Sequence, residues 1–198
     1  MEHLNHALFL WINAPEHPST LLLAIATFLA EYAIWIIPIL IGIGWLRGGD
    51  QTRKIMLIAT VSGLTGLLSN QITGLMWQHP RPFMIGLGHT FLSHAADSSF
   101  PSDHVTLLWA VAFSLLMHRS WRLIGVMLAV LGLPVAWARI YLGVHFPVDM
   151  AGAAAVALLS SGLAFRAMRF YLPFIYDLAL RIHRGLFGPY IRRGWVRK

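Results

Sequence analysis

Ala138-Arg139-Ile140-Tyr141-Leu142-Gly143-Val144-His145-Phe146-Pro147-Val148-Asp149 sets an arginine, a histidine and an aspartate between two apolar runs, 121–137 and 148–165. Ionisable side chains are costly at membrane depth unless they pair, line a wet cavity or have a task. The flanking runs therefore read as membrane helices, and the polar residues between them mark a site. Three more apolar runs, 21–46, 55–77 and 105–117, are joined by polar stretches. The expected fold is an all-α integral membrane protein, a bundle of about five transmembrane helices. A short N-terminal helix over 4–12 and a C-terminal amphipathic helix are expected to lie at the interface.

Composition agrees. Of 198 residues, 57% are hydrophobic and only 12% charged, too little polar surface for a soluble domain of this size. The absence of cysteine excludes disulfides, thiolate chemistry and cysteine-held metal. Residues 1–18 carry Glu2 and Glu16 and no lysine or arginine, so they lack the basic start of a cleavable signal peptide. The run 21–46 is interrupted only by Glu31 and Pro38, and Pro134 is expected to kink the run 121–137. Residues 78–103 read as a loop, because Pro80, Pro82, Gly86, Gly88 and the polar tract from His94 oppose a helix. A loop of that length usually has a function. The division is one membrane domain, 1–170, and a basic amphipathic tail, 171–198, with Ile175, Leu178, Ala179 and Ile182 opposite Arg181 and Arg184.

The formal charge of +7 is not spread evenly. Arg47, Arg53, Lys54, Arg119, Arg122, Arg166, Arg169 and the six basic residues of the tail fall on one side of a five-span arrangement, leaving Arg81 and Arg139 on the other. By the positive-inside rule the basic side is cytoplasmic and the motif loops face outward, towards the periplasm. The charge reads as a topology signal with a contact to anionic lipid, and gives no reason to invoke nucleic acid.

Three polar motifs gather on the outer side: His79-Pro80-Arg81-Pro82-Phe83, Phe100-Pro101-Ser102-Asp103-His104, and the opening stretch. Pro147 suits the first turn of a helix, so Asp149 can lie one turn from His145, fix its tautomer and leave its other nitrogen able to attack. Arg81 and Arg139 are fork donors suited to phosphoryl oxygens. Ser102 precedes a helix, where it can cap while backbone N–H groups face an anion. His104 in the first turn is placed to protonate a leaving oxygen and then activate water. Each motif alone also reads blandly: a helix cap, interfacial anchors, a structural His–Asp pair, or a metal cluster. Their coincidence in order and on one side favours the breaking of a phosphate ester or anhydride. Glu31 reads equally as a carboxylate facing the bundle interior, paired with a neighbouring helix, and as a residue supporting the site or gating substrate.

The arrangement resembles the type-2 phosphatidic acid phosphatase superfamily, whose motifs run lysine then Arg-Pro, Pro-Ser-Gly-His, and Ser-Arg-x-x-x-Gly-x-His-x-x-x-Asp. Here they stand as Arg81-Pro82, Pro101-Ser102-Asp103-His104 and Ala138-Arg139-x-x-x-Gly143-x-His145-x-x-x-Asp149. Within it, Ala30-Glu31-Tyr32-Ala33-Ile34, His94-Ala95-Ala96-Asp97 and Val144-His145-Phe146-Pro147-Val148-Asp149 look like the BcrC type of undecaprenyl pyrophosphate phosphatase, associated with bacitracin resistance and cell-wall lipid recycling. The resemblance implies His145 as a nucleophile forming a phosphohistidine, Asp149 as its orienting partner and His104 as acid and base. It implies Arg81, Arg139 and Ser102 as the phosphate cradle; Asp103 is expected among the phosphate-binding residues, and Glu31, His94 and Asp97 are expected behind them, as readings of this sequence. The implied substrate is a polyprenyl pyrophosphate lipid, with no metal or cofactor, in a bacterial cytoplasmic membrane. Three positions depart from the pattern: Gly74 stands where lysine is usual, Asp103 for glycine and Ala138 for serine. The motifs do not separate this activity from phosphatidic acid or phosphatidylglycerophosphate hydrolysis or from phosphoryl transfer to lipid A. A non-enzymatic lipid transporter is a further alternative.

Overall fold

A computed structural model of the chain describes residues 2–193 and 197, and every regular element among them is helical. Helix α1 (Glu2–Ile12) is short. The first long apolar rod, Thr20–Arg47, is continuous but not uniform. Its first part, α2 (Thr20–Thr27), widens into a π-helical turn at Phe28–Tyr32, tightens into a 3₁₀ turn at Ala33–Trp35 and resumes as α3 (Ile36–Arg47). Pro38 accounts for the irregularity: its ring crowds the carbonyl of Ile34 and offers it no N–H, so the preceding turn rearranges. Glu31 lies in the π-helical turn and is exposed on the flank of the bundle. That exposure corrects one of the two readings of Glu31, a carboxylate facing the bundle interior.

Gly48 and Gly49 make the joint to α4 (Asp50–Met76). This helix starts five residues before its apolar run, with Asp50 in the first turn, where a carboxylate complements the dipole. After the long loop come α5 (Asp103–Leu116), α6 (Arg122–Tyr141) and α7 (Pro147–Arg192). Among the described residues, four stretches are long and apolar enough to cross a membrane: Thr20–Arg47, Asp50–Met76, Arg119–Tyr141 and Pro147–Arg192. The chain is a multi-pass membrane protein. Helix α5, 14 residues and about 21 Å long, falls short of the ~30 Å hydrocarbon layer on its own.

Short as it is, α5 is the axis of the bundle. Val105, Leu108, Ala110, Val111, Ala112 and Leu115 are fully buried, with α4, α6 and α7 packed around them. Small residues permit the approach. A Cβ on Gly66 of α4 would lie 2.9 Å from Thr106 Cγ2 and 3.2 Å from Ser160 Oγ, and one on Gly132 of α6 would strike the Trp109 ring. The outer faces carry Leu64, Leu68, Leu123, Leu159 and Leu163, all exposed as lipid-facing positions must be.

Two boundaries and one placement differ from expectation. Helix α6 does not stop near Trp137 but runs to Tyr141, with Pro134 inside it, so Ala138 and Arg139 belong to its last turn and not to a loop. Helix α7 does not end near Phe165. It continues unbroken past Arg166 and Arg169 and through Pro173, so the tail expected as a separate interfacial helix from Tyr171 is its continuation. The charges mark where the helix can leave the apolar layer without breaking it. The last part of the expected tail, 194–196 and 198, lies outside the described residues. Finally, α1 is seated on protein: Phe9 is fully buried with its ring 5.3 Å from that of Phe146, and Asn5 Oδ1 accepts from Val148 N–H at 3.1 Å.

Candidate active site

The loop 77–102 and the α6–α7 junction come together at one end of the bundle, and the chain's own backbone chemistry fixes the junction. Helix α6 ends with Gly143 at φ 80°, a left-handed conformation that glycine adopts without strain. A side chain there would also strike the His89 carbonyl. Phe91 N–H donates to the Leu142 carbonyl at 3.0 Å, and Asn13 ties the His89 and Tyr141 carbonyls together with bonds of 2.8 and 3.1 Å. Asn13 is a structural partner that nothing in the motif pattern marks.

His145 sits in this junction, 1% exposed, and Pro147 starts α7 so that Asp149 falls in its first turn. Asp149 Oδ2 lies 3.2 Å from His145 Nδ1 and accepts the Phe146 backbone N–H at 2.7 Å. Ser99 completes this side: its hydroxyl donates to Asp149 Oδ2 and lies 3.4 Å from His145 Nδ1. In the sequence Ser99 is only the first residue of Ser99-Phe100-Pro101-Ser102-Asp103-His104, one of two adjacent serines, and the fold shows that it is the one facing Asp149.

The carboxylate assigns the proton of His145 to Nδ1 and leaves a lone pair on Nε2. That nitrogen faces two cations, Arg81 Nη1 at 3.1 Å and Arg139 Nη2 at 3.3 Å. Burial, opposed by the Asp149 hydrogen bond and reinforced by Arg139 and Arg81, holds the imidazole below its ordinary range, at about 3. The ring is therefore neutral at physiological pH, the state in which Nε2 is a nucleophile.

Both arginines are buried and braced. Arg81 Nε and Nη2 reach Asp97 Oδ1 at 2.9 and 2.8 Å, Nη1 donates to the Val144 carbonyl at 2.9 Å and Nη2 to the Ser98 carbonyl at 3.2 Å. Arg139 Nη1 donates to the Ala30 carbonyl at 3.4 Å, tying the site to the π-helical turn next to Glu31. Asp97 is mostly exposed, and His94 Nδ1 lies 3.8 Å from it, with its ring 6.1 Å from that of His145. Burial and the charge of Arg81 push the His94 pKa down.

Ser102 precedes α5 as the motif requires, but its hydroxyl makes no cap bond: Oγ is buried without a partner. Ser102 is fully buried and, unlike Pro101, Asp103 and His104 beside it, does not line the cavity of the site. Asp103 turns its carboxylate to α4, accepting from Asn70 Nδ2 at 2.8 Å and Gln71 Nε2 at 3.3 Å. Asp103 is exposed, so its carboxylate keeps water as well as the two amides. Gly74 lies on the same face of α4, and a Cβ there would sit 3.3 Å from Ser98 Cβ. The loop thus packs close to the place where the resembled family carries lysine.

One cavity of about 620 Å³ collects Arg81, His94, Asp97, Asp103, His104, Arg139 and His145 along its wall, together with Asn70, Gln71 and His79. A phosphoryl group bound there would meet two guanidinium forks on one side and a neutral, carboxylate-backed imidazole beneath. In-line displacement needs positioning and charge stabilisation of this kind. Glu31 is not on the cavity wall.

The chain is similar to known proteins over nearly its whole length. YbjG of Escherichia coli (strain K12) is 37% identical over 201 residues, covering 100% of this chain and 99% of that protein. The protein named undecaprenyl-diphosphatase BcrC of Bacillus subtilis (strain 168) is 36% identical, covering 96% of this chain and 97% of that one. The crystal structure of Aquifex aeolicus LpxE superposes with a TM-score of 0.67 at 22% identity, covering 82% of this chain and 95% of that one, a likeness of fold. The model of the PAP2 superfamily matches residues 54–172, a segment that holds all three motifs, and the chain belongs to that superfamily.

Proposed function

We propose that this protein is an undecaprenyl pyrophosphate phosphatase, releasing inorganic phosphate and undecaprenyl phosphate through a phosphohistidine on His145. The observation that carries the reading is the contact of His145 Nε2 with Arg81 and Arg139 while Asp149 holds Nδ1. The full-length similarity to a protein named undecaprenyl-diphosphatase supports the choice of lipid.

In this reading the Nε2 lone pair attacks the terminal phosphorus and the bond to the bridging oxygen breaks. His104 gives its proton to that oxygen as undecaprenyl phosphate departs. His104 then takes a proton from water, whose oxygen attacks the phosphohistidine; the P–N bond breaks and the lone pair returns to Nε2. Arg81 and Arg139 hold the transferring phosphoryl oxygens. Asp97 orders Arg81, Asp103 sets the polar wall opposite, and His94 and Glu31 support the periphery.

Five crossings complete the topology, with α5 shielded inside the bundle and not required to match the bilayer alone. The basic joints and the tail 171–198 then lie in the cytoplasm and the cavity opens to the outer face of a bacterial cytoplasmic membrane. The polyprenyl tail stays in lipid while the pyrophosphate enters the cavity. The test is phosphate release from undecaprenyl pyrophosphate in detergent with a chelator present. Wild type releases phosphate and His145→Ala, folded, does not; equal release by both refutes the nucleophile.

A further inference from the structure

The two oxygens of Asp149 have unlike surroundings. Oδ2 accepts from the Phe146 N–H and the Ser99 hydroxyl and faces His145 Nδ1. Oδ1 is as deeply buried and has no hydrogen-bond partner. The group facing it is His79 Nδ1, 4.0 Å away, itself buried and without a hydrogen bond. Buried polar atoms in native proteins find partners, and two orphans facing each other need only about 1 Å of movement to become one.

The surroundings of His79 make that movement available in one direction. Its ring is held between Trp77, at 5.1 Å, and Phe146, at 5.5 Å. Its backbone N–H donates to Ser98 Oγ at 3.3 Å, and its carbonyl accepts from the Ser99 N–H at 2.8 Å. Ser99 and His79 are thus joined through the main chain and approach Asp149 from opposite oxygens. His79 also lies two residues before Arg81, the fork in contact with His145, and lines the same cavity.

We propose that His79 is a positioning residue for the His145 reaction. A phosphoryl group that draws Arg81 towards itself carries the loop inward, and His79 Nδ1–H closes onto Asp149 Oδ1. The carboxylate is then held on both oxygens, so it cannot rotate as positive charge develops on His145. The inference rests on the His145 phosphatase reading but not on the identity of the lipid.

The test measures kcat and KM for wild type, His79→Ala, His79→Asn and His79→Gln on undecaprenyl pyrophosphate and on phosphatidic acid. His79→Ala should lower kcat about tenfold to a hundredfold with KM within about twofold. His79→Asn, whose amide nitrogen can occupy the place of Nδ1, should restore most of the loss. His79→Gln, whose amide reaches the place of Nε2, should not. An unchanged kcat in His79→Ala, a loss confined to KM, or equal kcat for Asn and Gln overturns the proposal; a KM effect would make His79 a phosphate contact. Should the alanine variant fail to fold, the Asn and Gln pair decides alone. Wild type hydrolysing only phosphatidic acid overturns the proposed substrate, and the His79 comparison is then read on that lipid. Wild type hydrolysing neither overturns both.

Discussion

Arg81 Nη1 lies 3.1 Å from His145 Nε2, across 64 residues of sequence. A guanidinium donor resting on the lone pair of the candidate nucleophile has to be taken up by a phosphoryl oxygen before that nitrogen can attack, so one side chain both guards the ring and binds what it attacks.

This contact makes Arg81→Lys a severe change. Lysine offers a point charge and cannot hold Asp97, the Val144 and Ser98 carbonyls and a phosphoryl oxygen together as the fork does. Turnover should fall about a hundredfold or more, the scale of losing one oriented transition-state donor. Asp97→Ala should cost much less, because Asp97 is 61% exposed and its pair with Arg81 is screened by water. Steady-state phosphate release from both variants checks the order, and an Asp97→Ala loss as large as that of Arg81→Lys would contradict it.

Asp149→Asn should remove catalysis while leaving most of the fold. The amide cannot accept the Phe146 N–H, the Ser99 hydroxyl and the His145 Nδ1–H at one oxygen as the carboxylate does, and it favours the wrong imidazole tautomer. A loss of about a thousandfold to ten-thousandfold in kcat is expected by analogy with other carboxylate-backed histidines. Rapid-quench detection of acid-labile, base-stable phosphoenzyme should show none accumulating.

Much of this site was legible before any fold was known. The sequence marks Arg81, His104, Arg139, His145 and Asp149 because their residue types and spacings are rare between apolar runs, and the fold brings them to one end of the bundle. Ser99, His79 and Asn13 receive no role from the sequence, since a serine among serines, a histidine before a proline and an asparagine in a linker gain meaning only from what they face. Hydropathy places Glu31 at a depth but not on a side, so its exposure on the flank of the bundle is seen only in the fold. The ends of α6 and α7 were misplaced for a related reason: a drop in hydropathy marks where lipid ends, and a helix does not have to stop there.

Asp103→Gly would restore the residue usual at that position of the motif. Asn70 Nδ2 keeps Thr106 Oγ1 at 3.0 Å but loses its carboxylate, and α5 loses the acid of its first turn. The expected cost is about 1 kcal/mol of stability with activity retained within about fivefold. Melting in detergent and phosphate release from the same preparation measure the two effects separately.

The buried, neutral His145 also predicts a pH dependence. Its folded pKa of about 3 lies below the ~6.5 of an unfolded imidazole. Above about pH 6.5 neither state carries the proton and the residue has no effect. As pH falls from there towards 3, the unfolded chain binds a proton that the folded one refuses, so stability is lost across that window. The midpoint of thermal unfolding should fall more steeply between pH 7 and pH 5 in wild type than in His145→Asn, and equal slopes would contradict the assignment of a neutral buried ring.

Gly143→Ala tests the junction itself. Its φ of 80° strains any L side chain, and the new Cβ would run into the His89 carbonyl, which Asn13 holds in place from behind. Relief requires the turn between Arg139 and His145 to open, and those two residues meet only because that turn is tight: Arg139 Nη2 lies 3.3 Å from His145 Nε2 and Val144 N–H donates to the Arg139 carbonyl at 3.2 Å. The substitution should cost about 1–3 kcal/mol of stability and also displace the fork from the imidazole, where about 1 Å of misplacement is worth a hundredfold in rate. The variant should therefore melt lower and, at temperatures where it is fully folded, still turn over far more slowly than wild type. Full activity in the folded variant would mean that the Arg139–His145 contact is not needed for the reaction.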